Sequence, residues 1–276
     1  MRFLKRIFNF YINSSIHVAL AIYAMSWITL IEYGLPYDEA VLYFIFYASI
    51  TGYNFVKYFG LAKFHHRSLA YWLRIIQVFS TICFVLMTYY ALKLELETLW
   101  IIAFFGLVTF FYAVPFFPRK MLYDKNQNLR DISGIKVYVI ALVWAGVTVF
   151  LPLLNAGHTI GFGEVLPFMQ RFVFVLVLIL PFEIRDLNYD SLKLATIPQK
   201  IGIKATKIFG GILLLLLLVL ELFREESTLK FKLCLFLVSL VLGALLYFAH
   251  KDQKPYYSSF WVEGVPILWL VLILLL

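Results

Sequence analysis

Residues 183–202 read Glu183-Ile-Arg185-Asp186-Leu-Asn-Tyr-Asp190-Ser-Leu-Lys193-Leu-Ala-Thr196-Ile-Pro198-Gln-Lys200-Ile-Gly202, a charged island between two strongly apolar segments. Asp186 and Asp190 are four residues apart. On a helix that spacing puts both carboxylates on one face, close enough to share a cation or a cation-bound phosphate. Glu183, three residues before Asp186, can join that face. Thr196-Ile-Pro198 is expected to stop the helix, because proline disfavours helical geometry in the residue before it. The competing reading is structural. The acids could pair with Arg185, Lys193 and Lys200 at headgroup level, and a lone D-x-x-x-D is a weak signal.

The elements that must position these residues are apolar helices. Of the 276 residues 63% are hydrophobic and 14% charged, where a soluble chain has about a quarter charged. Apolar runs of roughly 20 residues, enough to cross a bilayer, recur throughout. Nine spans are expected, at 14–32, 39–57, 71–92, 98–117, 134–153, 165–183, 205–223, 230–249 and 258–276. The fold class is therefore all-α: a polytopic bundle of about nine transmembrane helices around a central cavity, with 1–276 as a single integral-membrane domain. The basic start, Met1-Arg-Phe-Leu-Lys-Arg6, lacks a following small-residue cleavage site, so the first span is expected to be retained. Cys83 and Cys234 lie inside apolar runs and read as small buried hydrophobes. Leu213 to Leu218 reads as lipid-facing filler.

Charge sets the orientation. The amino tail and the connections after spans two, four, six and eight hold 19 of the 24 Lys and Arg residues. The opposite side has Lys93, Arg224, Lys230 and Lys232, and most of the acids, among them Glu32, Glu97, Glu164 and Glu221. The positive-inside rule makes the basic side, and the amino terminus, cytoplasmic. The net charge of +8 follows from this asymmetry. Nucleic acid is not needed to explain it, and the basic loops suit anionic membrane lipids. Asp124, Asp131, Glu183, Asp186, Asp190 and Asp252 are acids on a basic face.

At this point a resemblance becomes specific. Arg185-Asp186-Leu-Asn-Tyr-Asp190, then Thr196-Ile-Pro198 and Gly202, resembles the second aspartate-rich motif of the UbiA-type intramembrane prenyltransferases. Tyr112-Ala-Val-Pro115 followed by Arg119-Lys120 is similar to that family's Tyr-x-x-Pro and basic loop. The first family motif, N-D-x-x-D-x-x-x-D after span two, is degenerate here. Asn54 remains, but Phe55, Tyr58 and Ala62 stand at the acids, and Lys63-Phe-His65-His66-Arg67 follows.

The resemblance implies transfer of an isoprenoid from an allylic isoprenyl diphosphate to an acceptor, a quinone precursor or a lipid-like molecule, in a bacterial inner membrane. It implies Mg2+, here as a single ion held by Asp186, Asp190 and Glu183. Asn54 would orient substrate or metal-bound water beside the two aspartates. Arg67, Lys57, Tyr112, Arg119, Lys120 and Arg185 would contact substrate, the cations neutralising phosphate. Loss of the first motif keeps a second reading open: a non-catalytic membrane protein that retains the fold and binds prenyl diphosphate or lipid. A transporter is less favoured, since no inverted repeat with matching broken spans is evident.

Five further residues stand out. Glu263, in Phe260-Trp-Val-Glu-Gly264, lies within span nine, where an ionisable group is costly and is expected to face a cavity, in reach of substrate. Arg171 is expected to snorkel outward from the end of span six. His17 is expected to be a packed, hydrogen-bonded residue. His65 and His66, being adjacent, do not face one metal; with their basic neighbours they make a patch for phosphate or lipid headgroups.

Overall fold

A computed structural model describes residues 2–58, 67–113, 134–188, 196–224 and 227–276. These residues form ten α-helices and no strand. The helices are α1 (Arg2–Asn13), α2 (Ile16–Glu32), α3 (Glu39–Tyr58), α4 (Arg67–Ala91), α5 (Leu96–Ala113), α6 (Ile135–Asn155), α7 (Val165–Asp186), α8 (Ile197–Leu222), α9 (Leu229–Phe248) and α10 (Val265–Leu275). A π-helical turn, Tyr257–Val262, leads into α10. Among the described residues six spans, counting the π turn with α10, are long and apolar enough to cross a membrane, or seven with the bent pair α1 and α2. The protein is an all-α, polytopic membrane protein.

Helix α7 is the axis of the bundle. It packs on α6, α8, α9 and the π turn. Phe174, Val175, Val177, Leu180 and Ile184 are fully enclosed along it. An apolar run buried all round is what places a helix at the centre. The outward sides of α4 and α5 expose Val85, Trp100, Phe104 and Leu107, which suits hydrocarbon. Helices meet closely where a side chain is missing. A Cβ on Gly146 would overlap the Phe105 ring, and one on Gly210 would overlap Leu246. Small residues of this kind let membrane helices approach.

Helix ends are tied by short polar devices. Asp38 Oδ1 accepts from the amides of Ala40 and Val41 at 2.9 and 3.2 Å, opening α3. Its Oδ2 accepts from Asn155 at 2.6 Å, which joins the α3 start to the α6 end. Thr196-Ile-Pro198, expected to end a helix, opens one instead. Helix α7 stops at Asp186, Thr196 caps α8, and Pro198 sits in the first turn, where no amide donor is needed. Gln199 Oε1 accepts from the Thr196 amide at 2.9 Å. Gly202 then breaks α8 with φ 78°, a conformation glycine adopts without strain.

The first span has a part that its apolar pattern did not reveal. Ahead of α2, α1 is a separate amphipathic helix bent by 54° from it. It carries Lys5 and Arg6 with exposed Phe3, Leu4 and Ile7, the composition of a helix lying in a membrane interface.

Candidate functional site

Arg185 and Asp186 close α7 as a bidentate pair. Arg185 Nε donates to Asp186 Oδ1 at 2.7 Å and Nη2 to Oδ2 at 3.2 Å. Both are partly exposed, and the guanidinium lies 5.2 Å from the Phe182 ring centre. Glu183, three residues deeper, has a different fate. It is 1% exposed, and Lys136 at the start of α6 donates to its Oε1 at 3.1 Å. Asp186 thus ends the helix at an open face, while Glu183 anchors α6 to α7.

The end of α3 meets the bend between α1 and α2. Ser15 adopts φ 65°, which a side chain rarely tolerates and which must be held from outside. Asn54 holds it. Its Oδ1 accepts from Ser15 Oγ at 2.8 Å, and its Nδ2 donates to Ser14 O at 3.0 Å and Ser80 Oγ at 2.8 Å. Asn54 is 3% exposed, so its amide is used within the fold. One turn on, Lys57 Nζ donates to Ser15 Oγ at 3.0 Å. At the positions where the resembled motif has acids, Phe55 is exposed and Tyr58 donates to Asn13 O at 3.1 Å.

The final span is broken beside this bend. The amides of Trp261 and Glu263 bond five residues back, to Tyr256 and Ser258. Single π turns of this kind occur often at functional sites. Phe260 O accepts from the Gly264 amide at 2.9 Å and from His17 Nε2 at 2.9 Å. Donation from Nε2 leaves Nδ1 as the acceptor for Tyr11 OH, at 2.7 Å. His17 is packed and hydrogen-bonded, as its sequence context indicates. A Cβ on Gly264 would lie 2.8 Å from Phe260 O and 3.3 Å from His17 Nε2, so this contact depends on glycine.

Glu263 follows the π turn and is partly buried. It shares this end of the bundle with Lys57 of α3, Arg185 of α7 and Tyr11 of α1. Among the described residues its carboxylate takes no hydrogen bond and makes no direct ion pair. Four elements far apart in sequence thereby bring Tyr11, Lys57, Arg185, Asp186 and Glu263 to one end of the bundle.

Asp190, Lys63, His65, His66, Arg119 and Lys120 lie outside the described residues. Arg67 opens α4 and Tyr112 falls in the last turn of α5, where the backbone alone is described. Among the described residues no three His, Cys, Asp or Glu side chains converge as a metal-binding group.

The other end of the bundle corrects the expectation for Arg171. It does not snorkel; it is 3% exposed. Its guanidinium lies 4.6 Å from the Trp269 ring centre, 3.8 Å from Glu32 and 3.4 Å from Thr29. Arg224 reaches Glu32 at 3.5 Å and Glu221 at 3.8 Å. Gln170 donates to Glu221 at 2.7 Å, and Ser227 also donates to it. Two cations and two acids from α2, α7, α8 and the turn after α8 enclose a small cavity. A buried guanidinium is tolerable here because carboxylates and an aromatic face replace its hydration.

No family model and no curated protein matches the chain. Solved structures do. A structure of a digeranylgeranylglyceryl phosphate synthase is 14% identical with a TM-score of 0.58, covering 99% of this chain and 100% of its own. A UbiA homologue from Archaeoglobus fulgidus is 10% identical with a TM-score of 0.53, covering 96% of this chain and 94% of its own. The structure of a UbiA homologue from the same organism bound to GPP and Mg2+ is 11% identical with a TM-score of 0.52, covering 96% and 95%. Over almost its whole length, the chain has the fold of the UbiA-type intramembrane prenyltransferases.

Proposed function

We propose that this protein is a UbiA-like prenyltransferase that moves an isoprenoid from an allylic diphosphate to an acceptor dissolved in the membrane. The observation that carries the reading is the meeting of Asp186, Arg185 and Lys57 at one end of a bundle of this fold. A diphosphate leaves only when its charge is neutralised, and cations beside a carboxylate suit that task. In the reaction the bond between the allylic carbon and the diphosphate oxygen breaks, and the electron pair stays on the diphosphate. The acceptor then bonds to the allylic carbon and gives its proton to the departing diphosphate. Apolar helices shelter the allylic cation from water.

The donor chemistry fits Mg2+, which takes one or two carboxylates and completes its shell with substrate phosphates. Asp186 and Asp190 would hold it, and bound Mg2+ would supply charge neutralisation for the diphosphate. Glu183, paired with Lys136, enters the proposal as an anchor for α7. Asn54 enters as the residue that sets the bend and, through Ser15, the place of Lys57. Arg67, Arg119, Lys120 and Tyr112 complete the substrate contacts, and the site faces the cytoplasm.

A second reading is favoured by one specific observation. The end of α3 presents Phe55, Lys57 and Tyr58 with no acid. A protein that binds prenyl diphosphate without transferring it would need only the clamp. Calorimetry of the purified chain with geranyl diphosphate, across a Mg2+ series, tests both. Binding with a single-ion Mg2+ dependence, weakened at least tenfold by Asp186→Asn or Asp190→Asn, is expected. Labelled geranyl diphosphate with a membrane lipid extract then yields product only if the protein is a transferase. No binding at any Mg2+ concentration defeats the transferase reading and the diphosphate clamp, and leaves a non-catalytic protein of this fold.

A further inference from the structure

We propose that α1 reads the charge of the lipid leaflet: Lys5 and Arg6 seat the helix on anionic headgroups, and the seated helix holds the Ser15 bend that tethers Lys57. The inference stands apart from the proposed function, because it involves no diphosphate.

Three observations carry it. The first is how α1 divides along its length. Phe3 to Ile7 are all exposed, Phe3 at 73% and Leu4 at 71%. The second half is docked. The Phe8 ring centre lies 4.9 Å from that of Tyr256 and 5.1 Å from that of Phe260. Tyr256 OH donates to Asn9 Oδ1 at 2.5 Å, and the Phe10 ring meets Phe79 of α4 at 5.5 Å. Contacts with the π turn and α4 thus fix one end of the helix and leave the other to its surroundings.

The second is the chemistry of the exposed half. At helical spacing Lys5 and Arg6 share one side of α1 with Asn9 and Asn13, while Phe3, Leu4 and Ile7 share the other. The helix carries three cations, Arg2, Lys5 and Arg6, and no acid. At 12 residues it is too short to span a bilayer alone. It leaves the apolar helix α2 at a 54° bend, which puts it where acyl chains meet headgroups. Apolar side chains there enter the acyl boundary, and lysine and arginine reach toward the phosphates. A zwitterionic surface offers these cations no net attraction, whereas an anionic leaflet does. The occupant of the exposed face is therefore an anionic bilayer surface.

The third is what the seat controls. Ser15 lies where α1 turns into α2. Its amide donates to Ile12 O at 3.3 Å, and its carbonyl accepts from the Ala19 amide at 3.1 Å. Its φ of 65° sets the angle between the two helices, and such a torsion persists only where the surroundings hold it. Asn54 holds the side chain, and the placement of α1 holds the backbone. Lys57 Nζ donates to the same Ser15 hydroxyl at 3.0 Å. Lifting α1 from the leaflet lets Ser15 relax to an ordinary torsion, and Lys57 loses its tether.

The test is hydrogen exchange, read by mass spectrometry, on the full chain in nanodiscs of phosphatidylcholine alone or mixed equally with phosphatidylglycerol. Peptides covering Phe10 to Ala19 are expected to exchange about tenfold more slowly in the anionic discs. Pulsed acylation of Lys57 is expected to be several-fold faster in the neutral ones. The double variant Lys5→Gln/Arg6→Gln is expected to remove both differences. Should that variant not yield folded protein, high salt serves with the wild type, since it screens the same attraction. Equal exchange in the two kinds of disc overturns the inference, as does a lipid difference that survives the double variant or the salt. Slower exchange with unchanged Lys57 acylation overturns it as well. Protection that rises with protein concentration, whatever the lipid, identifies a second copy of the chain as the occupant and also overturns it.

Discussion

Lys136 at the start of α6 donates to Glu183 at 3.1 Å, and the carboxylate it reaches is 1% exposed. This contact fixes the end of the axial helix one turn before Asp186. Lys136→Met is expected to lower stability by about 3 kcal/mol, because a buried carboxylate loses its cation. Thermal unfolding in detergent measures it. Diphosphate affinity, corrected for the folded fraction, is expected to fall less than in Asp186→Asn.

The cluster at the far end makes a separate prediction. Arg171→Met keeps the length of the side chain but leaves Glu32 and Glu221 facing Arg224 alone. A loss of about 3–5 kcal/mol is expected. Because the cluster lies at the opposite end of α7 from Asp186, diphosphate affinity of the folded fraction is expected to stay within about twofold of wild type.

Acid sensitivity is expected from Glu164, which precedes α7 outside the span. Burial alone would raise its pKa. Hydrogen bonds from His158 at 2.9 Å and the Gly161 amide at 2.6 Å outweigh burial and hold it below 4.5. A group whose folded pKa is depressed contributes its stability above the unfolded value and loses it as pH falls through the folded one. The unfolding temperature is therefore expected to fall on acidification below about pH 4.5, the ordinary value for this group. Glu164→Gln is expected to flatten that part of the curve.

Orientation can be tested by single cysteines at Lys200, Lys254, Glu97 and Gly157. The native thiols are 2% exposed at Cys83 and 0% at Cys234, so they give little background. An impermeant thiol reagent applied to intact cells is expected to label positions 97 and 157 and to spare 200 and 254. Labelling of position 200 would reverse the proposed sidedness.

Element identity was legible where it depended on the run of apolar residues. The spans and the oddity of Glu263 follow from which residues a bilayer tolerates. Pairing across elements was not legible. Arg171 finds Glu32 and Trp269, which lie more than 90 residues away in sequence, and no local pattern announces that. Asn54 was readable as a survivor of a motif, yet its partners Ser14 and Ser15 come from the bend between α1 and α2, and Ser80 from α4. Helix α1 escaped because its charges interrupt the apolar run, although Ser14-Ser15 marks the place where the chain turns. Thr196-Ile-Pro198 was read by what proline forbids before it, while the same residues are good at starting the helix after it.

The Ser15 hydroxyl has a thermodynamic consequence for the lysine that it holds. A free lysine side chain carries about 2 kcal/mol of rotamer entropy, and a ligand that immobilises it must overcome that. Here Lys57 Nζ is already tethered to a serine whose backbone is fixed by Asn54. The freedom is surrendered when the chain folds, not when a phosphate arrives. In the proposed function an arriving anion would thus meet a preorganised ammonium and be spared the cost of ordering it.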